Sequence, residues 1–160
     1  MPPAARVLVA GVGNVFLSDD GFGSEVARRL EGVPLPEGVR VKDFGIAGIH
    51  LAYELLDGYD MLVLLDTVAR SGEPGSVVVL EADADGHAAA GVEAHSMDPE
   101  AVFATVRALG GAVPRTLVVG CIPARLDEGL GLSPAVAAAV DVAAAAVADV
   151  VAAELARSEV

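Results

Sequence analysis

A Val-rich apolar run, Arg6 to Ala10, opens into a glycine-rich turn and then a helical pattern: Gly11-Val-Gly-Asn-Val-Phe-Leu-Ser-Asp-Asp-Gly-Phe-Gly23. That order constrains the fold more than any other part of the chain. A short apolar run closed by glycine reads as a buried strand, and a buried strand feeding a helix is the opening unit of an α/β layer structure. Such a turn ordinarily receives phosphate, because free N–H groups at a helix N-terminus attract anions. Here it delivers two adjacent carboxylates, Asp19 and Asp20. Their charges repel a pyrophosphate at short range and suit a metal cation. The dinucleotide fingerprint also breaks, with Phe16 in the third glycine position after Gly11 and Gly13. A small nucleotide-binding Rossmann-like domain is therefore the weaker alternative.

Strand and helix patterns then alternate. Phe22 to Leu30 reads as the first helix, Val39 to Phe44 as a half-buried strand and Ile49 to Leu56 as a second helix. Met61 to Asp66 (MLVLLD) is the most hydrophobic strand candidate and ends on a carboxylate. The turn Ser71 to Gly75 leads to Val77 to Leu80, a connection short enough to suit a hairpin with an antiparallel neighbour. Ala82 to Ala94 reads as an exposed loop ending at His95. Asp98-Pro99-Glu100 supplies an N-cap, a proline at the first helical position and an acidic first turn, which predicts a helix to about Leu109. Thr116 to Val119 is a further buried strand, and Ser133-Pro134 starts the final helix by the same capping logic. The fold class expected is α/β: a single domain over residues 1–160, a three-layer α/β/α sandwich around a mostly parallel twisted sheet with one antiparallel strand.

Composition excludes several classes. The formal net charge of −13, with ten scattered basic residues, argues against a nucleic-acid partner. One cysteine, Cys121, rules out a disulfide within the chain and a cysteine-based zinc cluster, and fits a reducing compartment. The N-terminal residues lack a signal-peptide pattern, so the cytoplasm is the expected location and a monomer the simplest expected state. The Ala/Val-rich run Pro134 to Ala153 is apolar enough to be tested as a membrane span, but it contains Asp141 and Asp149. A mid-bilayer carboxylate costs roughly 2.5 to 3.5 kcal/mol on insertion scales. Val136, Val140, Val147 and Val151 fall on one helical face with both aspartates opposite, the pattern of a helix packed on a core.

In open α/β sheets, functional groups gather at the carboxyl ends of strands. Three candidates converge there: Asp20 after the first strand, Asp66 at the end of the third, and His95 before the third helix. Two carboxylates and an imidazole form an O,O,N donor set that leaves coordination positions open for a substrate. Each also has a plain structural role available, and ligand types alone do not decide between them. Asp19 is assigned to the helix start as an N-cap, and Asp20 to function. His50 and His87 are read as structural or solvent-facing, and Cys121 as a small buried hydrophobe. No His-Glu-x-x-His helix and no Gly-x-Ser-x-Gly elbow is present.

Gly11-Val-Gly-Asn14 followed by Asp19-Asp20-Gly21-x-Gly23 resembles the opening motif of the hydrogenase maturation proteases, endopeptidases that trim the large subunit of NiFe hydrogenases. Supporting the likeness are Asp43-Phe-Gly45 with Leu51, the strand ending in Asp66, His95 before a helix, and Gly120-x-x-Pro123 leading to Gly131-Leu-Ser133. The resemblance implies an α/β/α fold and a metal site on Asp20, Asp66 and His95 that also serves catalysis. It implies nickel brought in by the precursor substrate rather than held by the free enzyme, and a partner that is the precursor of a hydrogenase large subunit. Several relatives have consecutive glycines where this chain reads Asp43-Phe44-Gly45, which marks a subgroup with a different precursor. A non-catalytic nickel-binding checkpoint or chaperone for hydrogenase assembly is the alternative within the same reading.

Overall fold

The computed structural model describes residues 5–83 and 98–158. Within them lie strands β1 (Val7–Val12), β2 (Val39–Gly45), β3 (Met61–Thr67), β4 (Val77–Ala82) and β5 (Arg115–Cys121), and helices α1 (Phe22–Glu31), α2 (Gly48–Leu55), α3 (Pro99–Ala108) and α4 (Pro134–Ser158). The strands form one sheet in the order β2-β1-β3-β5-β4. Pairings β1 with β2, β1 with β3, and β3 with β5 are parallel, while β4 with β5 is antiparallel. The mostly parallel α/β sandwich with one antiparallel strand is the architecture expected from the alternating patterns.

Strand alternation sorts the core into two halves. Val7 and Val9 of β1 and Met61, Val63 and Leu65 of β3 join Phe22, Val26 and Leu30 of α1 and Val136, Val147 and Val151 of α4 on one face. Leu8, Ala10 and Val12, with Leu62 and Leu64, pack against Leu51 and Leu55 of α2 and Phe103 and Val106 of α3 on the other. Both faces of β1 and β3 are covered, which is why their sequences are continuously apolar rather than alternating with polar residues.

The hairpin expected after β3 does not form. β4 is antiparallel, but its partner is β5 and not β3, because the connection from residue 68 to 76 crosses the carboxyl end of β5. Main-chain bonds fix that crossing: Val68 N–H donates to Cys121 O at 3.0 Å, and Ile122 N–H to Ser76 O at 3.0 Å. Burial explains the choice. Residues 116–121 of β5 are buried throughout and need neighbours on both sides, whereas β4 is half-exposed and carries Glu81, which suits a sheet edge.

α4 is long and apolar enough to cross a membrane by length and composition. In the fold its Val136, Ala139, Ala143, Val147 and Val151 are buried in the core while Asp141 and Asp149 are exposed, as the helical spacing predicts. Asp141 pairs with Arg29 of α1 at 2.9 Å. α3 begins as expected, with the Asp98 side chain accepting from Glu100 N–H at 3.0 Å and Pro99 at the first position.

Candidate active site

From β1 the chain turns to β2 on one side, and β3 leads away on the other, so the crevice between the carboxyl ends of β1 and β3 is the topological switch point of this sheet. The glycine turn sits there. Gly13 has φ +132°, and a Cβ on it would collide with the main-chain oxygen of Asp20. A Cβ on Gly23 would collide with the carbonyl oxygens of Leu65 and Val12. These two glycines let α1 start hard against β1 and β3, which drops the intervening 3-10 turn (Ser18–Gly21) into the crevice. Ser18 adopts a left-handed conformation, φ 53°, held by its N–H to Gly129 O at 2.9 Å and its hydroxyl to Asp127 O at 2.8 Å.

Asp19 is not the helix cap. The residue before α1 is Gly21, with no side-chain capping bond. Asp19 is instead fully buried, its Oδ2 accepting from Ala124 N–H (2.8 Å), Arg125 N–H (3.0 Å) and the Ser133 hydroxyl (2.9 Å), and its Oδ1 from Ser133 N–H (2.6 Å). It ties the loop between β5 and α4 to the glycine turn. Burial pushes its carboxyl up, but the N–H groups of Ser133, Arg125 and Ala124 and the Ser133 hydroxyl together outweigh that and hold it below the ordinary value.

Asp20 points the other way. It is 2% exposed, and Oδ2 accepts from Asn14 N–H at 2.8 Å while Oδ1 accepts from the Thr67 hydroxyl at 3.1 Å. Asp66, at the end of β3, is 5% exposed, and its Oδ1 accepts from Thr67 N–H at 2.8 Å. Burial, and then the neighbouring charge of Asp20, push the Asp66 carboxyl well above the ordinary carboxylate range, with the Thr67 N–H opposing. Two buried carboxylates that repel each other form an oxygen donor pair whose repulsion a divalent cation would relieve. The structure thus brings together two of the three residues singled out from the sequence. His95, like His87, lies outside the described residues, and among the described residues no cluster of three or more His, Cys, Asp or Glu side chains could hold a metal. His50 is exposed on α2.

Sequence reasoning missed Thr67, which bonds both carboxylates; the only signal was its place directly after Asp66. The Asp43-Phe-Gly45 segment also has a structural part: Asp43 Oδ1 accepts from the Ser24 hydroxyl (2.9 Å) and Gly45 N–H (3.0 Å), and Gly13 N–H donates to Gly45 O at 3.0 Å. The end of β2 is thereby bound to α1 and to the glycine turn. Phe16 and Leu130, 66% and 76% exposed, stand on two loops joined by Gly129 N–H to Phe16 O at 2.9 Å.

Cys121 is fully buried, and its thiol is pushed up to about 11, by burial first and then by the charge of Asp19, with the Gly75 N–H opposing. It is therefore no nucleophile near neutral pH. The native protein is expected to resist iodoacetamide at about pH 8 and to take up a full equivalent in concentrated guanidinium, read by intact mass. Rapid native alkylation would contradict the burial.

Residues 24–150 match the family model HycI, hydrogenase maturation protease. The chain belongs to the hydrogenase maturation protease family. It is an enzyme of the endopeptidase class. It is 36% identical over 145 residues to the hydrogenase expression/formation protein HupD of Rhodobacter capsulatus, covering 88% of this chain and 68% of that one. It spans about two thirds of that relative's length. The fold matches the hydrogenase maturating endopeptidase HybD from Escherichia coli with TM-score 0.77 at 29% identity, covering 89% of each chain. A hydrogenase 2 maturation peptidase from a Thaumarchaeota archaeon matches with TM-score 0.72 at 33% identity, covering 92% of this chain and 98% of that one.

Proposed function

We propose that this maturation protease removes the C-terminal extension of a nickel-loaded NiFe hydrogenase large-subunit precursor, and that Asp20, Asp66 and His95 recognise the nickel carried by that precursor. The observation that supports it is the buried Asp20–Asp66 pair, joined through Thr67, in which burial first and then the charge of Asp20 raise the proton affinity of Asp66. An ion held partly by substrate thiolates needs only a few further oxygen or nitrogen ligands, so an incomplete donor set on the enzyme suits a metal that arrives as cargo. Nickel bound in this way would polarise the scissile carbonyl or a water. The protein's own residues hold the two carboxylates in the crevice, exclude water around them, and leave Asp66 able to exchange a proton when the cation docks. The exposed Phe16 and Leu130 beside the crevice offer apolar contacts to a protein substrate. The reading places the enzyme in the cytoplasm as a monomer, with neither nucleic acid nor membrane as partner.

The test is incubation of the purified protein with nickel-loaded and nickel-free precursor of the large subunit encoded in the same genome, followed by intact mass. Cleavage of the loaded form alone is expected. Binding without cleavage of either form would replace the protease with an assembly checkpoint, and equal cleavage of both forms would remove nickel from the recognition step.

A further inference from the structure

Thr67 continues the β3 series Met61, Val63, Leu65, whose side chains face α1 and α4. A side chain at the next position in that series emerges beneath the start of α1, where the 3-10 turn presents Asp20. Asp66 belongs to the opposite series, with Leu62 and Leu64. Alternation alone would therefore send the two carboxylates' supports to different faces of the sheet. Thr67 joins them: its hydroxyl donates to Asp20 Oδ1 at 3.1 Å, and its main-chain N–H donates to Asp66 Oδ1 at 2.8 Å.

The residue is built to be stiff. It is 1% exposed, paired in register with Cys121 of β5, and followed by Val68, whose N–H donates to Cys121 O at 3.0 Å. A β-branched side chain in a strand has few rotamers, so the hydroxyl position is set by the backbone. With Asn14 N–H on Oδ2 and the Thr67 hydroxyl on Oδ1, rotation of the Asp20 carboxylate is restrained at both oxygens.

We propose that Thr67 is a positioning residue that sets the separation and orientation of Asp20 and Asp66 for one shared cation. This rests on the reading above, that the carboxylate pair engages nickel in the precursor. Groups that orient metal ligands through hydrogen bonds typically govern 10- to 100-fold in affinity or activity. The side chain at residue 67 therefore tunes recognition of the loaded substrate without touching it.

The test compares Thr67→Val, which keeps shape and N–H but removes the hydroxyl, with Thr67→Ser, which keeps the hydroxyl, and with Thr67→Ala as a smaller apolar variant in case valine disturbs folding. Affinity for nickel-loaded and nickel-free precursor is measured by biolayer interferometry, alongside kcat and KM for cleavage and the thermal midpoint. Valine and alanine are expected to weaken binding of the loaded precursor by about 10- to 100-fold, to leave binding of the nickel-free form unchanged, and to be rescued by serine. Equal weakening toward both forms, or no rescue by serine, would reduce Thr67 to a structural residue and overturn the proposal. Asp20→Asn runs in parallel. If it loses recognition of the loaded form while Thr67→Val does not, the positioning role fails and the site stands; if Asp20→Asn retains it, the site itself fails.

Discussion

Replacing Asp20 with asparagine is expected to slow precursor cleavage by about 100-fold or more, the range lost when a charged acid–base or metal-binding group is neutralised, while the protein stays folded. Asparagine is the informative choice because Asp20 is buried and accepts a hydrogen bond at each carboxylate oxygen. An amide oxygen can still accept from Asn14 N–H, and the amide nitrogen can donate to the Thr67 hydroxyl, which is able to reverse its role. The contacts survive and the charge does not. Cleavage is followed by the appearance of the shortened large subunit, and folding by circular dichroism. Wild-type rates in Asp20→Asn would remove Asp20 from the chemistry. A collapsed thermal transition would instead show that its charge serves the fold.

Asp19→Ala is expected to act on stability. Four donors from Ala124, Arg125 and Ser133 converge on this fully buried carboxylate. Hydrogen bonds to charged groups contribute about 1.5 to 3 kcal/mol each, and buried donors left unpaired cost about 1 to 3 kcal/mol, though such terms do not add. A net loss of about 3 to 5 kcal/mol is expected, comparable to breaking a buried ionic contact. For a domain of this size that lowers the thermal midpoint by roughly 6 to 20 °C.

The pH dependence follows in sign. Because the native carboxyl sits below the ordinary value, its contribution is present above the unfolded-state pKa and is lost as pH falls through the native one. The gap in midpoint between wild type and Asp19→Ala should therefore narrow in acid. A midpoint shift under about 2 °C at neutral pH would show that the loop between β5 and α4 is held by other contacts.

The adjacent aspartates show where local reading stops. Both look alike in sequence, in a turn before a helix, where an aspartate usually caps. The first instead bonds residues 105 to 114 positions away, and those partners reach it only because β5 lies beside β3 and its loop returns over the turn. Capping preference is a local property; a long-range acceptor role is not. The second met Asp66 as expected, because one follows β1 and the other ends β3, adjacent parallel strands whose carboxyl ends lie at the same end of the sheet. His95 was named by the same reasoning and lies outside the described residues.

The strands and helices, the buried character of β1 and β3, the apolar face of α4, and the arrival of Asp20 and Asp66 at one sheet end were all legible in the residue pattern. Those follow from side-chain periodicity, from glycines that only a close approach requires, and from the direction of parallel strands. The assembled sheet settled the rest: that the connection after β3 crosses the end of β5 and leaves β4 at the sheet edge, that Asp19 fastens a distant loop, and that Thr67 bonds both carboxylates. The physical reason is common to all three. Each depends on which strand becomes whose neighbour, and that choice is made by burial of the whole sheet, which no local pattern encodes.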